Sequence, residues 1–205
     1  MKISYAITVC NELEEVKRLV DFLILTKRRE DEIVILFDEK NGTDEVFDYI
    51  ESQVGECEVF CEKFEGHFAD WKNLLTSHCT GKYIFQIDAD ELPTEDLIVN
   101  LPHILEINQD IDVLRVPRVN TVEGLTVQHI QKWGWNVNEK GWVNWPDHQW
   151  RIYRNTPEIK WKNKVHEVLE GYKTLSHLPS HEDYSLYHPK TIDRQEKQNN
   201  YYNTL

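Results

Sequence analysis

The chain has 205 residues, of which 40% are hydrophobic and 29% are charged, and this composition is typical of a globular protein with one sizeable core. It excludes disordered and fibrous proteins, and no run approaches the ~20 apolar residues that a membrane span requires. The first apolar stretch is too short for a secretion signal, so we expect a cytoplasmic protein whose four cysteines are reduced.

The formal net charge of −13 is distributed unevenly along the chain. Residues 1–110 carry 25 acidic and 10 basic side chains, whereas residues 111–205 carry 11 and 13. The acidic total argues against broad nucleic-acid binding, while the second part leaves room for an anionic partner. Six of the seven tryptophans lie between Trp133 and Trp161. We therefore expect two parts with different tasks, 1–110 and 111–205, within one domain.

Predicted strands and helices alternate through the first part. Apolar runs rich in β-branched residues predict strands, and apolar residues three or four apart predict helices. In chain order the elements are a strand at 3–9, a helix at 12–26, a strand at 33–37, a helix at 43–52, a strand at 57–60, a helix at 68–79, a strand at 83–87 and a helix from 93. This order predicts an α/β fold with a mostly parallel sheet flanked by helices.

The pattern changes after residue 110. Short strands near 112–119, 148–153 and 164–169 are separated by loops rich in Trp, Asn and Gly, and a polar helix is expected at about 189–204. We expect an antiparallel, Trp-rich C-terminal extension of the α/β core.

Polar residues follow the predicted parallel strands directly, where such sheets bind ligands. They are Asn11, Glu12, Asp38, Asp88 and Asp90. Two carboxylates spaced as Asp88 and Asp90 converge on one hard divalent cation, and Mg²⁺ or Mn²⁺ held in this way keeps open positions for phosphate oxygens. The Asp-x-Asp pair is a weak signal alone, since many surface loops contain it.

Four segments, in this order and at these intervals, carry a resemblance to a known family. They are residues 6–12, residues 35–38 with 41–44, residues 68–73 and residues 80–91. These segments resemble family 2 glycosyltransferases with the Rossmann-like GT-A fold. More weakly, residues 146–154, 165–167 and 188–201 are similar to members that modify lipopolysaccharide cores or peptides and to small phage enzymes. The resemblance implies inverting transfer of a sugar from a nucleotide-sugar, here a UDP-sugar, to a hydroxyl.

The resemblance also implies which residues contact the nucleotide-sugar. They are Thr8, Asn11, Glu12, Asp38, Lys72, Asn73 and Asp88. A carboxylate at Glu12 or Asp38 can accept a hydrogen bond from uracil N3–H or a ribose hydroxyl, and Lys72 and Asn73 are expected near the diphosphate. The alternatives are capping of a helix by Asn11 or Glu12 and capping of a turn by Asp38.

By the same resemblance, Asp90 binds the metal directly, and Asp88 binds the metal through water or contacts the ribose. The third ligand is a histidine from the C-terminal region, with His188 as the first choice and His166 as the second. The implied cofactor is Mn²⁺ or Mg²⁺. The alternative for either histidine is an ordinary surface or core role.

Inverting transfer needs a general base to deprotonate the acceptor hydroxyl. Asp147 stands where relatives carry the Asp of a Glu-Asp pair, although Pro146 replaces the Glu, and it has no obvious cationic partner in sequence. Glu167 is the competing candidate. The alternatives are a turn residue for Asp147 and an ion pair with Lys164 or Arg151 for Glu167.

The acceptor itself stays open at this point. Trp145, Trp150 and Trp161 are expected to line its site, because an indole stacks on a sugar face or a nucleobase. The acceptor is either a saccharide of the lipopolysaccharide or capsule type or a hydroxymethylated DNA base of the phage type, the latter modified in the host cytoplasm.

Two other functions compete with glycosyl transfer. One is a non-catalytic nucleotide- or sugar-binding module with a GT-A core, against which the intact carboxylates argue. The other is a nucleotidyltransferase, which normally has a Gly-rich phosphate loop after the first strand; here Cys10, Asn11 and Glu12 occupy that place. The donor sugar and the oligomeric state are not encoded in any recognisable pattern.

Overall fold

The structure, a computed structural model, describes residues 1–202. The strands are β1 (Ile3–Val9), β2 (Glu32–Asp38), β3 (Glu58–Glu62), β4 (Tyr83–Asp88), β5 (Leu92–Pro93), β6 (Val113–Val116), β7 (Arg118–Glu123), β8 (Gln149–Arg154), β9 (Lys160–Lys162), β10 (Val168–Glu170), β11 (Leu175–His177) and β12 (Leu186–Thr191). The helices are α1 (Leu13–Thr26), α2 (Asp44–Ser52), α3 (Phe68–His78), α4 (Glu95–Ile107), α5 (Val127–Trp133) and α6 (Ile192–Tyr202), with a short 3₁₀ turn at Glu182–Tyr184.

Seven strands form the central sheet, in the order β11-β6-β8-β4-β1-β2-β3. β1 to β4 are parallel, and Ile7 in β1 is aligned with Ile35 in β2 and Ile87 in β4. β8 runs antiparallel between β4 and β6. The prediction of an α/β fold with a mostly parallel sheet is confirmed, and the elements of the first part lie where the sequence patterns place them.

Helices cover both faces of this sheet, and each face has its own apolar cluster. α1, α2 and α4 pack on one face through residues such as Leu19, Ile50 and Leu101. α3 and the antiparallel pair β9–β10 cover the other face through residues such as Leu75 and Trp161. Because both faces of the sheet are buried, the sequences of its strands are continuous apolar runs.

Strands of the second half join the α/β core directly, and β8 is antiparallel to both of its neighbours. β6, β8 and β11 belong to the central sheet itself. In β8 the neighbours Ile152 and Tyr153 are both buried, one in each apolar cluster, because the strand lies between two layers of the core. The strand expected at 164–169 begins only at Val168, after a loop.

A small second sheet, in the order β5-β12-β7, carries the C-terminal part of the chain to the end of the central sheet. β12 pairs with β7 in parallel and sets His188 opposite Asn120. α6 follows β12 directly and agrees with the predicted polar helix. None of the helices within residues 1–202 combines the length and the apolar character needed to cross a bilayer.

Candidate active site

A cavity of about 590 Å³, the first cavity, lies at the carboxyl ends of β1, β2 and β4. Since the carboxyl ends of parallel strands meet at one edge of a sheet, residues far apart in sequence converge here. Six residues expected to contact a nucleotide-sugar line it: Thr8, Asn11, Glu12, Asp38, Lys72 and Asp88. Arg194, Lys197 and Gln198 of α6 form part of the opposite wall.

The carboxylates of Glu12 and Asp38 accept hydrogen bonds from backbone N–H groups of the loops around the first cavity. Glu12 Oε2 accepts from the backbone N–H groups of Cys10 and Asn11, both at 3.0 Å, and its side chain does not cap α1. Burial raises the pKa of Glu12. Asp38 Oδ1 accepts from the backbone N–H of Lys40 at 2.9 Å, so the turn-capping role is present at this residue. Both side chains still border the cavity.

Lys72, which is buried, and Asp88, which is partly exposed, form an ion pair at the edge of the cavity. The Lys72 side chain is 7% exposed, and its Nζ lies 3.4 Å from Asp88 Oδ1 and 3.5 Å from Glu167 Oε1. Arg151 Nη2 donates to Asp88 Oδ2 at 2.5 Å. Burial alone would raise the pKa of Asp88, but Arg151 and Lys72 lower it below its ordinary value. Asp88 therefore holds two cations, one of which faces the cavity.

Asp90 is surrounded by an imidazole and two cations. Its Oδ2 lies 3.3 Å from His188 Nε2, 3.5 Å from Arg194 Nη2 and 3.8 Å from Lys190 Nζ. Burial would raise the pKa of Asp90, but the hydrogen bond and charge of His188 and the charge of Lys190 hold it well below its usual range. Burial lowers the pKa of His188. Asp90 is therefore an ionised carboxylate beside a buried imidazole.

Asp90 and His188 fit a divalent cation that takes its remaining ligands from a diphosphate and from water. Within residues 1–202, no group of three or more His, Cys, Asp and Glu side chains is arranged to hold a metal. Asp90 Oδ2 and His188 Nε2 lie 3.3 Å apart, a gap that one ion at about 2.1 Å from each atom spans. Mg²⁺ in particular keeps several water ligands and binds through only one or two carboxylates.

The residue after the Asp-x-Asp pair, Glu91, anchors this end of the sheet and was not predicted. Glu91 is 1% exposed. It accepts from Arg151 at 2.8 Å through both of its oxygens, and Arg118 Nη1 donates to Oε1 at 2.9 Å. Burial alone would raise the pKa of Glu91, but Arg151 and Arg118 hold it well below its ordinary range. In the sequence, the signal for this ion pair is Arg151, an arginine within the apolar strand β8.

We expect Glu91→Gln to lower the free energy of unfolding by about 3–5 kcal/mol, the usual cost of breaking a buried ion pair. Because the folded state depresses this pKa, the stabilisation is complete above about pH 4.3 and is lost as the pH falls further. Urea unfolding of both proteins at pH 7 and pH 3.5 measures it. Exposed Glu95→Gln should change stability by less than about 0.5 kcal/mol. Equal stability of wild type and Glu91→Gln at pH 7 would contradict the anchoring role.

A second cavity, of about 560 Å³, adjoins the first and contains Asp147, Glu167, His166 and Trp150. Asp147 Oδ2 accepts from Arg118 Nε at 3.0 Å and Nη2 at 2.9 Å, and from Asn120 at 2.7 Å. The expectation that Asp147 lacks a cationic partner is therefore wrong. Its Oδ1 accepts from the Gln149 amide at 2.8 Å.

Three predicted contact residues lie elsewhere. Asn73 lines neither cavity, because its amide exchanges two 2.9 Å hydrogen bonds with the Trp161 backbone and so ties β9 to α3. Trp161 is 3% exposed and donates to the Tyr153 hydroxyl, so it is a core residue and not an acceptor contact. Trp145 packs against Trp142 and lines neither cavity, whereas Trp135, which was not singled out, lines the second cavity.

Comparison with known proteins identifies the family and the fold of the chain. The family model described as Glycosyl transferase family 2 matches residues 4–176. S. aureus TarS 1-349 in complex with UDP-GlcNAc superposes with a TM-score of 0.65 at 17% identity, over 93% of this chain and 59% of that one. The same protein in complex with UDP gives a TM-score of 0.62 at 16% identity, over 92% and 60%.

The chain thus spans about three fifths of the TarS 1-349 structures, and at these identities the likeness concerns the fold alone. The curated protein sequences contain no match. The family model, however, covers most of the residues that build the sheet and both cavities. The chain belongs to glycosyl transferase family 2 and has the GT-A fold.

Proposed function

We propose that this chain is an inverting, metal-dependent glycosyltransferase that moves a sugar from a UDP-sugar to a hydroxyl of a neutral saccharide. The proposal rests on one observation: the two cavities meet and share part of their lining. Both are lined by Lys72, Asp88, Asp90, Glu167, Lys190 and Gln198. A donor in the first cavity and an acceptor in the second would meet where the carboxylates and cations are concentrated, which is the arrangement that direct transfer requires.

The first cavity has the groups that a nucleoside diphosphate needs. Phe64 and Phe68 provide a flat apolar surface at one side, and Asp38 or Glu12 can accept from uracil N3–H. Lys72, Lys190, Arg194 and Lys197 supply positive charge for the diphosphate. The complexes of TarS with UDP-GlcNAc and with UDP support a uridine nucleotide.

Asp90 and His188 would hold the Mn²⁺ or Mg²⁺ ion, which stabilises the negative charge that develops on the leaving diphosphate. Asp147 would accept the proton of the acceptor hydroxyl through Oδ1, the oxygen that does not face Arg118. Arg118 fixes the carboxylate of Asp147 in position through two hydrogen bonds.

The lining of the second cavity favours a neutral saccharide over DNA. Two of its four cations, Lys72 and Lys190, also line the first cavity, where the donor diphosphate would engage them, and the other two, Arg118 and Arg151, are paired with Glu91 and Asp88. Six carboxamides and two indoles complete the lining: Asn120, Asn144, Gln149, Gln195, Gln198, Asn199, Trp135 and Trp150. Amides hydrogen-bond to hydroxyls and indoles stack on sugar rings, whereas a DNA backbone would need unpaired Lys or Arg.

The decisive experiment separates donor chemistry from acceptor choice. The protein is incubated with UDP-glucose, UDP-galactose or UDP-GlcNAc and Mn²⁺, and UDP release is followed with neutral oligosaccharides or with 5-hydroxymethylated DNA. We expect acceptor-stimulated UDP release and a glycosylated oligosaccharide with at least one donor.

Other outcomes contradict specific parts of the proposal. Transfer only to DNA would contradict the proposed acceptor class but would still support the proposed glycosyltransferase activity. Release of sugar 1-phosphate instead of UDP, with UMP transferred to the acceptor, would indicate a nucleotidyltransferase. UDP binding without turnover on any acceptor would indicate a non-catalytic binding module.

A further inference from the structure

Asn120 connects the two parts of the active site and is absent from the set of residues that sequence patterns single out. It lies on β7 opposite His188 of β12. Its Oδ1 is 2.8 Å from His188 Nδ1, and its Nδ2 donates to Asp147 Oδ2 at 2.7 Å. His188 in turn faces Asp90. One carboxamide therefore touches both the proposed metal ligand and the proposed general base.

The orientation of the Asn120 amide is determined by its neighbours. Nδ2 faces the Asp147 carboxylate and, at 3.4 Å, the carbonyl oxygen of Val143. Both neighbours are acceptors, so the NH₂ end must point at them and the carbonyl end must point at His188. A carboxamide oxygen only accepts hydrogen bonds, so His188 Nδ1 has to carry a proton.

A neutral imidazole protonated at Nδ1 has its lone pair at Nε2. In His188 this atom lies 3.3 Å from Asp90 Oδ2. In the metal-free protein a second proton on Nε2, donated to Asp90, satisfies this contact, and a divalent cation bound to both residues would replace that proton. The amide orientation at Asn120 therefore selects the tautomer that coordinates a metal together with Asp90.

We propose that Asn120 is a positioning residue that fixes the metal-ligating tautomer of His188 and, through its other end, the orientation of Asp147. The proposal rests on the function proposed above, because it assigns Asn120 to the same metal and base. Through these two contacts, a change at Asn120 alters the metal site and the base together.

Two substitutions separate these roles. Asn120→Ala removes both hydrogen bonds, and we expect Mn²⁺ affinity in the presence of UDP to fall by about 10- to 100-fold, the usual effect of losing a partner of a metal-ligating histidine. Asn120→Asp retains the acceptor for His188 Nδ1–H but places a second carboxylate against Asp147. We expect its Mn²⁺ affinity to stay within about threefold of wild type while kcat falls more than about tenfold and KM for the donor changes little.

Calorimetric titration of Mn²⁺ and ¹⁵N spectra of the His188 ring provide readouts that do not depend on turnover. The ring spectrum should show protonated Nδ1 in wild type and a mixture of tautomers in Asn120→Ala. In a His188→Ala background, Asn120→Ala should cause no further loss of Mn²⁺ affinity, because the two residues act through one contact. Glu123→Ala, an exposed change on the same strand, is the matched control.

Unchanged Mn²⁺ affinity and an unchanged His188 tautomer in a folded Asn120→Ala protein would overturn the positioning role while leaving the proposed function intact. If Asn120→Ala does not fold, equally weakened Mn²⁺ binding in Asn120→Asp and in His188→Ala overturns it as well. A wild-type protein that binds UDP equally with and without Mn²⁺ would instead contradict the metal dependence itself.

Discussion

We expect Asp90→Asn to reduce turnover by more than about 1,000-fold, since a bound metal ion contributes several kcal/mol to stabilising the leaving diphosphate. A neutral amide is a poor ligand for a hard cation, and Asp90 is the carboxylate that lies beside His188 at 3.3 Å. The same change leaves Lys190 and Arg194 with less negative charge nearby. Because Asp90 and Lys190 are mostly buried, we also expect a lower Tm, which is measured alongside turnover so that loss of folded protein is not counted as loss of catalysis.

Calorimetry with UDP, with Mn²⁺ or with EDTA, measures the metal-dependent part of donor binding, and UDP release measures turnover. Wild-type protein should bind UDP more tightly with Mn²⁺, whereas Asp90→Asn should bind it equally in both conditions. Asp96→Asn, an exposed change in the first turn of α4, is the matched control and should behave as wild type. Equal UDP binding by wild type in Mn²⁺ and in EDTA would leave Lys72, Lys190 and Arg194 as the cations that neutralise the diphosphate.

The parts of the site that the sequence predicts well are those determined by the sheet. Asp38 and Asp88 end β2 and β4, the two parallel strands that flank β1, and hydrophobic runs locate those ends to within a residue. The pairing of Glu91 with Arg118 and Arg151 was missed because it joins segments 27 and 60 residues apart: an arginine within apolar strand β8 indicates a buried carboxylate partner but does not identify it. Asn120 was missed for the same reason, since its partners come from β12 and from the loop before β8.

Two of the expected contact residues, Asn73 and Trp161, line neither cavity, and the local sequence around each predicts that placement. Lys72 and Asn73 are consecutive on a helix and point about 100° apart, so only one of them can face the cavity. Trp161 lies between Lys160 and Lys162 in a strand, and alternation requires that the tryptophan points inward when both lysines are exposed. The tryptophans at 133–150 carry no such periodicity because they lie mostly in loops, so Trp135 could not be preferred over Trp145.

We expect Asp147→Asn to reduce turnover by about 10²- to 10⁴-fold, the usual contribution of a general base, with UDP binding nearly unchanged. Asp147 lines the second cavity and not the first, so its loss should not affect the donor. Asparagine retains the oxygen that Arg118 and Asn120 require, and the Gln149 amide can rotate to accept from the new NH₂ group. The shape of the site is therefore kept while the ability to take a proton is lost.

Glu167→Gln is the matched comparison, because Glu167 borders both cavities and its Oε1 lies 3.5 Å from Lys72 Nζ. Weakening this contact should mainly change how Lys72 meets the diphosphate, so we expect a higher KM for the donor and a small change in kcat. Steady-state kinetics with varied donor, at saturating acceptor, separate the two effects. A large fall of kcat in Glu167→Gln with near-normal Asp147→Asn would exchange the two roles. If both variants keep wild-type kcat, neither carboxylate is the base, and Asp147 then serves only to hold Arg118 and Asn120 in place.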